Sequence, residues 1–190
     1  MTDEAGQWLL ARARESIGAA VRGEPLAPAS HRPAGVDAPG ASFVTLTLDG
    51  QLRGCIGSLE ASRPLFSDVS DNARAAALKD PRFAPVTEAE LDRVAISVSV
   101  LAAPERLPVS DRQALKQQLT PGIHGLTISA GHRRATFLPS VWAQLPDADD
   151  FIDHLRQKAG LPDSWPDSEL RCERYTVTCF DEQTAPAGCH

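Results

Sequence analysis

The chain has 190 residues, enough for one domain or for one domain with a small lobe, and a core of that size needs no metal or disulfide. Its apolar and charged fractions, 42% and 23%, are ordinary for a globular protein. The net charge of −6 argues against nonspecific binding to nucleic acid or to an anionic membrane, because both require a basic surface.

The N-terminal residues, MTDEAGQWLLARARE, lack the basic and apolar regions of a signal peptide. Nowhere does the sequence approach the run of about 20 apolar residues that a membrane span needs. We therefore expect a cytoplasmic protein without a membrane partner.

The first predicted helix covers residues 4–22, where apolar residues recur at helical spacing. Residues 23–40 are rich in Pro, Gly and Ala and are typical of an arm or a long loop. Two strands then flank Asp49 and Gly50, a dipeptide that predicts a type I′ hairpin.

The remaining predicted elements follow in chain order. They are a helix over 62–80, a strand over 94–102, a helix near 110–119, a hairpin over 125–138, a helix between Asp147 and Gly160, and a strand over 170–180. Hairpins outnumber β-helix-β crossovers in this order. The pattern predicts an α+β fold with antiparallel sheets and flanking helices.

The second strand of the first hairpin lies in the stretch LRGCIGSLE, residues 52–60, and carries an arginine beside a cysteine. A two-residue turn places Leu46 opposite Arg53 and Val44 opposite Cys55. Arg53 and Cys55 then share one face of the strand, about 7 Å apart. A guanidinium at that distance lowers the pKa of a thiol.

Gly54 and Gly57 lie on either side of this cysteine. Glycines inside a strand indicate a bulge or the close approach of another chain or a ligand. An alternative is structural. Cys55 would then be a small core residue on the face of Val44, and the glycines would admit the Ala-rich second helix.

Short motifs occur in order along most of the chain. They are F-V-T-L (43–46), L-R-G-C-I-G (52–57), P-L (64–65), N-A (72–73), D-P-R-F (80–83), E-L (90–91), S-V-S-V-L (97–101), H-G-L (124–126), A-T-F-L-P (135–139) and K-A-G-L (158–161). Together they resemble the AMMECR family, named for the Alport syndrome, midface hypoplasia and elliptocytosis chromosomal region. The resemblance covers residues 8–182. We expect one domain over 1–190, in which 183–190 form a polar tail.

The resemblance implies an α+β domain of two unequal lobes with antiparallel sheets. The family's biochemical activity is not established. Its bacterial and archaeal members often accompany a Memo-type protein and a radical SAM protein as component A of a three-part system, which implies those two as partners. The family signature is L-R-G-C-I-G, so the resemblance makes Arg53, Gly54, Cys55 and Gly57 candidate site residues.

Two further residues are candidates for the same site. Arg82 could face the same cleft as Arg53 and help to hold a carboxylate or phosphate, although pairing with Asp80 in a turn is the alternative. His124 is the best histidine candidate for a base near Cys55, and an exposed turn histidine is its alternative.

Familiar metal and cofactor motifs are missing from the sequence. There is no CxxC pair, no HExxH and no pairing of two histidines with a carboxylate, so we expect no metal site. GxGxxG and the P-loop are also missing, so we expect no nucleotide cofactor.

Two hypotheses of function follow. In the first, the chain is an accessory or binding domain whose signature hairpin lines a cleft, where Arg53, with Arg82, holds a small anionic ligand. In the second, the chain is a thiol enzyme. Cys55 is then the nucleophile, Arg53 lowers its pKa, and His124 moves protons.

Overall fold

The computed structural model describes residues 1–162 and 164–182, and the tail predicted over 183–190 lies outside them. The described residues form two compact units of unequal size, each with its own apolar core. The first comprises 1–101 with 178–182, and the second comprises 102–162 with 164–177. The expectation of a single domain over the whole chain stays a prediction. Among the described residues, no helix combines the length and the apolar character needed to cross a membrane.

The first unit packs two helices on one face of a sheet. Its elements are α1 (Asp3–Arg22), β1 (Pro39–Leu48), β2 (Gln51–Gly57), β3 (Arg63–Pro64), α2 (Leu65–Leu78), β4 (Val94–Leu101) and β9 (Val177–Asp181). The strand order is β2-β1-β4-β9, with β3 paired to the start of β1. Strand β1 is antiparallel to both β2 and β4.

The core of this unit lies between the sheet and the helices. Val44 and Leu46 of β1 are fully buried there with alternate residues of β4, as the alternation over 94–102 predicts. Ala73 and Ala76 of α2 are also buried, and their small side chains let the helix approach the sheet closely. One face of the sheet is therefore covered by the helices.

The second unit has a four-stranded sheet of its own. Its elements are β5 (Glu105–Leu107), α3 (Arg112–Gln117), β6 (Gly125–Ala130), β7 (Arg133–Phe137), α4 (Ala148–Lys158) and β8 (Arg171–Tyr175). The strand order is β5-β8-β6-β7, and all three pairings are antiparallel. The Asp147 side chain caps α4, and Phe151 of that helix stacks on Trp142 with 3.8 Å between ring centroids.

The α+β class and the antiparallel sheets are confirmed, and so is the first turn, where Asp49 and Gly50 have φ values of 52° and 79°. The single strand predicted over 170–180 is wrong. The chain leaves one sheet at Thr176, whose carbonyl accepts from Ala102 N–H at 2.9 Å, and then enters the other sheet. Residues on both sides of Thr176 favour strands, so composition does not reveal the break.

Candidate functional site

The signature strand β2 contains a β-bulge at Arg53. On one side of the bulge Thr47 pairs with Leu52, and on the other side Leu46 pairs with Gly54. Arg53 is therefore the extra residue, without a partner position on β1. A bulge re-aims the side chains around it and increases the local twist.

The bulge makes the predicted register wrong by one residue. Cys55 lies opposite Thr45 rather than Val44, and Leu46 does not face Arg53. Because side chains alternate along a strand, this slip moves the sulfur to the face opposite α1 and α2. Cys55 is half-buried there, so the structural alternative that packs it with Val44 is also wrong.

Three small side chains lie next to one another on that face. Thr45 of β1 has Cys55 of β2 on one side and Ser97 of β4 on the other. All three are half-buried, and the Cys55 thiol is free. Thr45 Oγ1 donates a hydrogen bond to Cys55 Sγ at 3.4 Å. We call these three residues the thiol row.

The loop after α2 holds the backbone of Cys55. The Asp80 carboxylate accepts the Cys55 N–H at 2.8 Å, and Arg82 Nη2 donates to the Cys55 carbonyl at 3.4 Å. Arg82 also donates to both oxygens of Asp80, which holds the pKa of that buried carboxyl well below its usual range. Since β2 is an edge strand, this Asp80–Arg82 clamp replaces a neighbouring strand at Cys55.

Arg53 binds a different loop. Its Nε and Nη2 donate to the Glu90 carboxylate at 2.8 and 3.2 Å, and its guanidinium also donates to the carbonyls of Ala84 and Pro85. The Arg53 and Glu90 side chains are only 15% and 20% exposed. The bonds from Arg53, with the Thr87 N–H, lower the pKa of Glu90 to about 2. Glu90 therefore neutralises Arg53, the residue that the first hypothesis expects to hold the anionic group of a ligand.

The two signature glycines make room for the protein itself. A Cβ on Gly54 would lie 2.3 Å from the backbone oxygen of Ala76 in α2. This is the close approach of the second helix that the structural alternative predicted at this glycine. A Cβ on Gly57 would lie 2.2 Å from the ring of Phe43. Any larger side chain at Gly54 would push the helix from the sheet, because a backbone oxygen cannot move aside.

His124 lies in the second unit, at the entrance to β6. Its Nδ1 accepts the Thr120 N–H at 2.9 Å, and its carbonyl accepts Trp142 Nε1–H at 2.8 Å. Burial, followed by the charge of Arg174, lowers the pKa of His124. These contacts are those of a turn histidine, while Cys55 belongs to the first unit. A catalytic pair of His124 with Cys55 stays a prediction.

Sequence reasoning missed a buried carboxylate next to the signature. Asp68 of α2 is fully buried and accepts from Ser42 N–H, Ser42 Oγ, Asn72, Ser58 and Arg63 at 2.5–2.9 Å. Ser58 directly follows β2, so Asp68 joins the end of the signature strand to the helix. The sequence signal that could have identified it is the i, i+4 spacing of Asp68 and Asn72, which places both polar residues on the apolar face of α2.

Comparisons with known proteins agree with this architecture. A family model described as AMMECR1 matches residues 10–180. A protein of Methanothermobacter thermautotrophicus is 40% identical over 142 residues, which are 74% of this chain and 74% of that protein. A protein of Saccharolobus islandicus is 35% identical, with 99% of this chain and 86% of that protein covered. The crystal structure of the uncharacterized protein PH0010 from Pyrococcus horikoshii has a TM-score of 0.85 at 30% identity, covering 96% of this chain and 94% of that one.

Proposed function

Because this chain belongs to the AMMECR1 family, we propose that it is an accessory domain that binds its partners through the thiol row of its first sheet. One observation carries the proposal: the Asp80–Arg82 clamp holds the backbone of Cys55, while its thiol remains half-buried on the face opposite the helices. A contact group that is already ordered loses little conformational entropy on binding.

The chemistry of the thiol row suits a ligand or a partner segment that approaches closely. Thr45 and Ser97 have short side chains that let another backbone come near, and their hydroxyls can form hydrogen bonds. An anionic group of the ligand would reach Arg82, whose side chain is 53% exposed, more readily than Arg53. We assign the partners from the family alone, as a Memo-type protein and a radical SAM protein.

A capture experiment tests this proposal. The chain is immobilised, and binding of the Memo-type and radical SAM proteins from the same genome is measured against Cys55→Leu and Cys55→Ser. We expect Cys55→Leu to weaken binding at least about tenfold, because its bulk blocks close approach, and Cys55→Ser to keep it. Arg74→Ala, at a position 57% exposed on α2, is the control that should leave binding unchanged.

Two results would reject the accessory role as stated. One is a folded Cys55→Leu variant that captures both partners as well as the original chain. The other is an original chain that captures neither partner. Thermal unfolding of each variant shows whether it is folded.

The hydrogen bond from Thr45 to the sulfur favours the thiol enzyme as a second candidate, since a hydroxyl donor can orient and stabilise a thiolate nucleophile. Against this candidate, Arg53, the cation that was predicted to activate the thiol, is neutralised by Glu90. Cys55→Ser separates the two candidates. An accessory domain retains its function with serine, whereas a cysteine nucleophile loses activity.

A further inference from the structure

A groove lies between α1 and the arm that follows it, and none of its lining residues belongs to the signature. It has a volume of about 600 Å³. The ring of Trp8 and the methyl groups of Ala11 and Ala19 line it from α1, and Leu26 and its neighbours over 24–31 line it from the arm. This volume is within the range of about 300–1,000 Å³ that is usual for small organic ligands.

Arg12 lines this groove and is only 8% exposed. Its Nη1 donates to the Ala27 carbonyl at 2.8 Å and to Glu15 at 3.1 Å. Its Nε is buried and has no hydrogen-bond partner within residues 1–162 and 164–182. A buried donor that lacks an acceptor is destabilising, so an acceptor that reached this nitrogen would be bound favourably.

The bonding of Arg12 leaves one edge of its guanidinium for a ligand. Among the described residues, neither Nε nor Nη2 donates a hydrogen bond, and these two nitrogens form the edge that binds a carboxylate through two parallel bonds. The Glu15 carboxylate, which accepts from Nη1 instead, is 62% exposed. Exposed ion pairs are weak, so Glu15 leaves the charge of the guanidinium largely available to a ligand carboxylate on the other edge.

We propose that this groove binds a small monocarboxylate with a short apolar tail. The carboxylate lies on the Nε and Nη2 edge of Arg12, and the tail lies against Trp8 and the alanines of α1. The apolar residues of the lining select the tail, and the Arg12 guanidinium selects the acid. This site is separate from the thiol row and does not depend on the function proposed for it.

Nuclear magnetic resonance tests the proposal with hexanoate as the probe. Two N–H signals report on the groove: Arg12 Nε–H, and Trp8 Nε1–H, which donates to the His31 carbonyl at 3.0 Å. Hexanoate should move both signals in a saturable way. Neutral 1-hexanol, which has the same tail length, should bind at least about tenfold more weakly because it cannot form the charged, paired bonds.

Four variants complete the test. Arg12→Lys should weaken hexanoate binding at least about tenfold by removing the planar fork. Glu15→Gln should tighten it by removing a neighbouring negative charge that repels the carboxylate of hexanoate. Ala11→Leu should abolish it by filling the groove, whereas Ala20→Leu, on the same helix but outside the groove, should not change it.

Three outcomes would overturn the inference. They are no saturable shift of either signal, hexanol binding as tight as that of hexanoate, and unchanged binding in a folded Ala11→Leu variant. If Arg12→Lys does not fold, the comparison with hexanol and Ala11→Leu still decide, because position 11 is exposed.

Discussion

Asp68→Ala is expected to lower the free energy of unfolding by about 3–5 kcal/mol, because several buried donors lose the carboxylate that accepts from them, and each donor left without an acceptor costs about 1–3 kcal/mol. Ser42 N–H and Ser42 Oγ lose their acceptor and Asn72 loses one of its acceptors, whereas Arg63 keeps Asp71. It also leaves a cavity beside α2. The loss is a large fraction of the ~5–15 kcal/mol that stabilises a typical domain. Chemical denaturation with urea measures the change.

The matched control for this prediction is Asp71→Ala. Asp71 also pairs with Arg63, at 2.8 Å, but its side chain is 50% exposed. We expect a loss of no more than about 1 kcal/mol, as for other exposed pairs. Equal effects of the two substitutions would show that Asp68 is not the anchor of the signature strand.

Arg53→Ala should lower the free energy of unfolding by about 2–3 kcal/mol, since it leaves a largely buried Glu90 carboxylate without its paired cation. The bulge would then lose its attachment to the loop after α2. Arg74→Ala, at a 57% exposed position, controls for loss of an arginine and should have almost no effect. Unchanged stability of Arg53→Ala would show that the Arg53–Glu90 pair does not hold the bulge to the loop after α2.

The pH dependence of Glu90→Gln provides a second readout of the same pair. Since the pKa of Glu90 is lowered to about 2 in the folded chain, its contribution to stability is complete above the ordinary value of 4.5. It is lost as the pH falls from about 5 toward 2. The original chain should therefore be more stable than Glu90→Gln at neutral pH, and the difference should shrink on acidification. A difference that is constant from neutral pH to pH 2 would contradict the ion pair.

Local patterns were enough to predict most of the elements. Helical spacing places α1 correctly, and Asp49-Gly50 forms the predicted turn because both residues tolerate a positive φ. The bulge at Arg53 was not predictable from that turn, since the bulged residue bonds Glu90, 37 residues away, and no local pattern reveals that contact. This single extra residue reversed the face on which Cys55 lies.

The electrostatics of the candidate site also depend on distant contacts. An arginine beside a cysteine suggests a free cation, but Glu90 neutralises Arg53, and Asp80 pairs with Arg82. The local Asp80–Arg82 pair was an expected alternative because the two residues are neighbours in sequence. Its bonds to the backbone of Cys55 were not expected, because they require α2 to end beside the edge strand.

Alkylation of the native chain with iodoacetamide, mapped by peptide mass spectrometry, tests most directly whether the Cys55 thiol is accessible in the folded chain. Cys172 is an internal control, because it is fully buried and burial raises the pKa of its thiol to about 12. We predict modification of Cys55 in the folded chain, protection of Cys55 when a partner is bound, and no modification of Cys172. Resistance of Cys55 to alkylation until the chain is unfolded would contradict the proposed role of the thiol row.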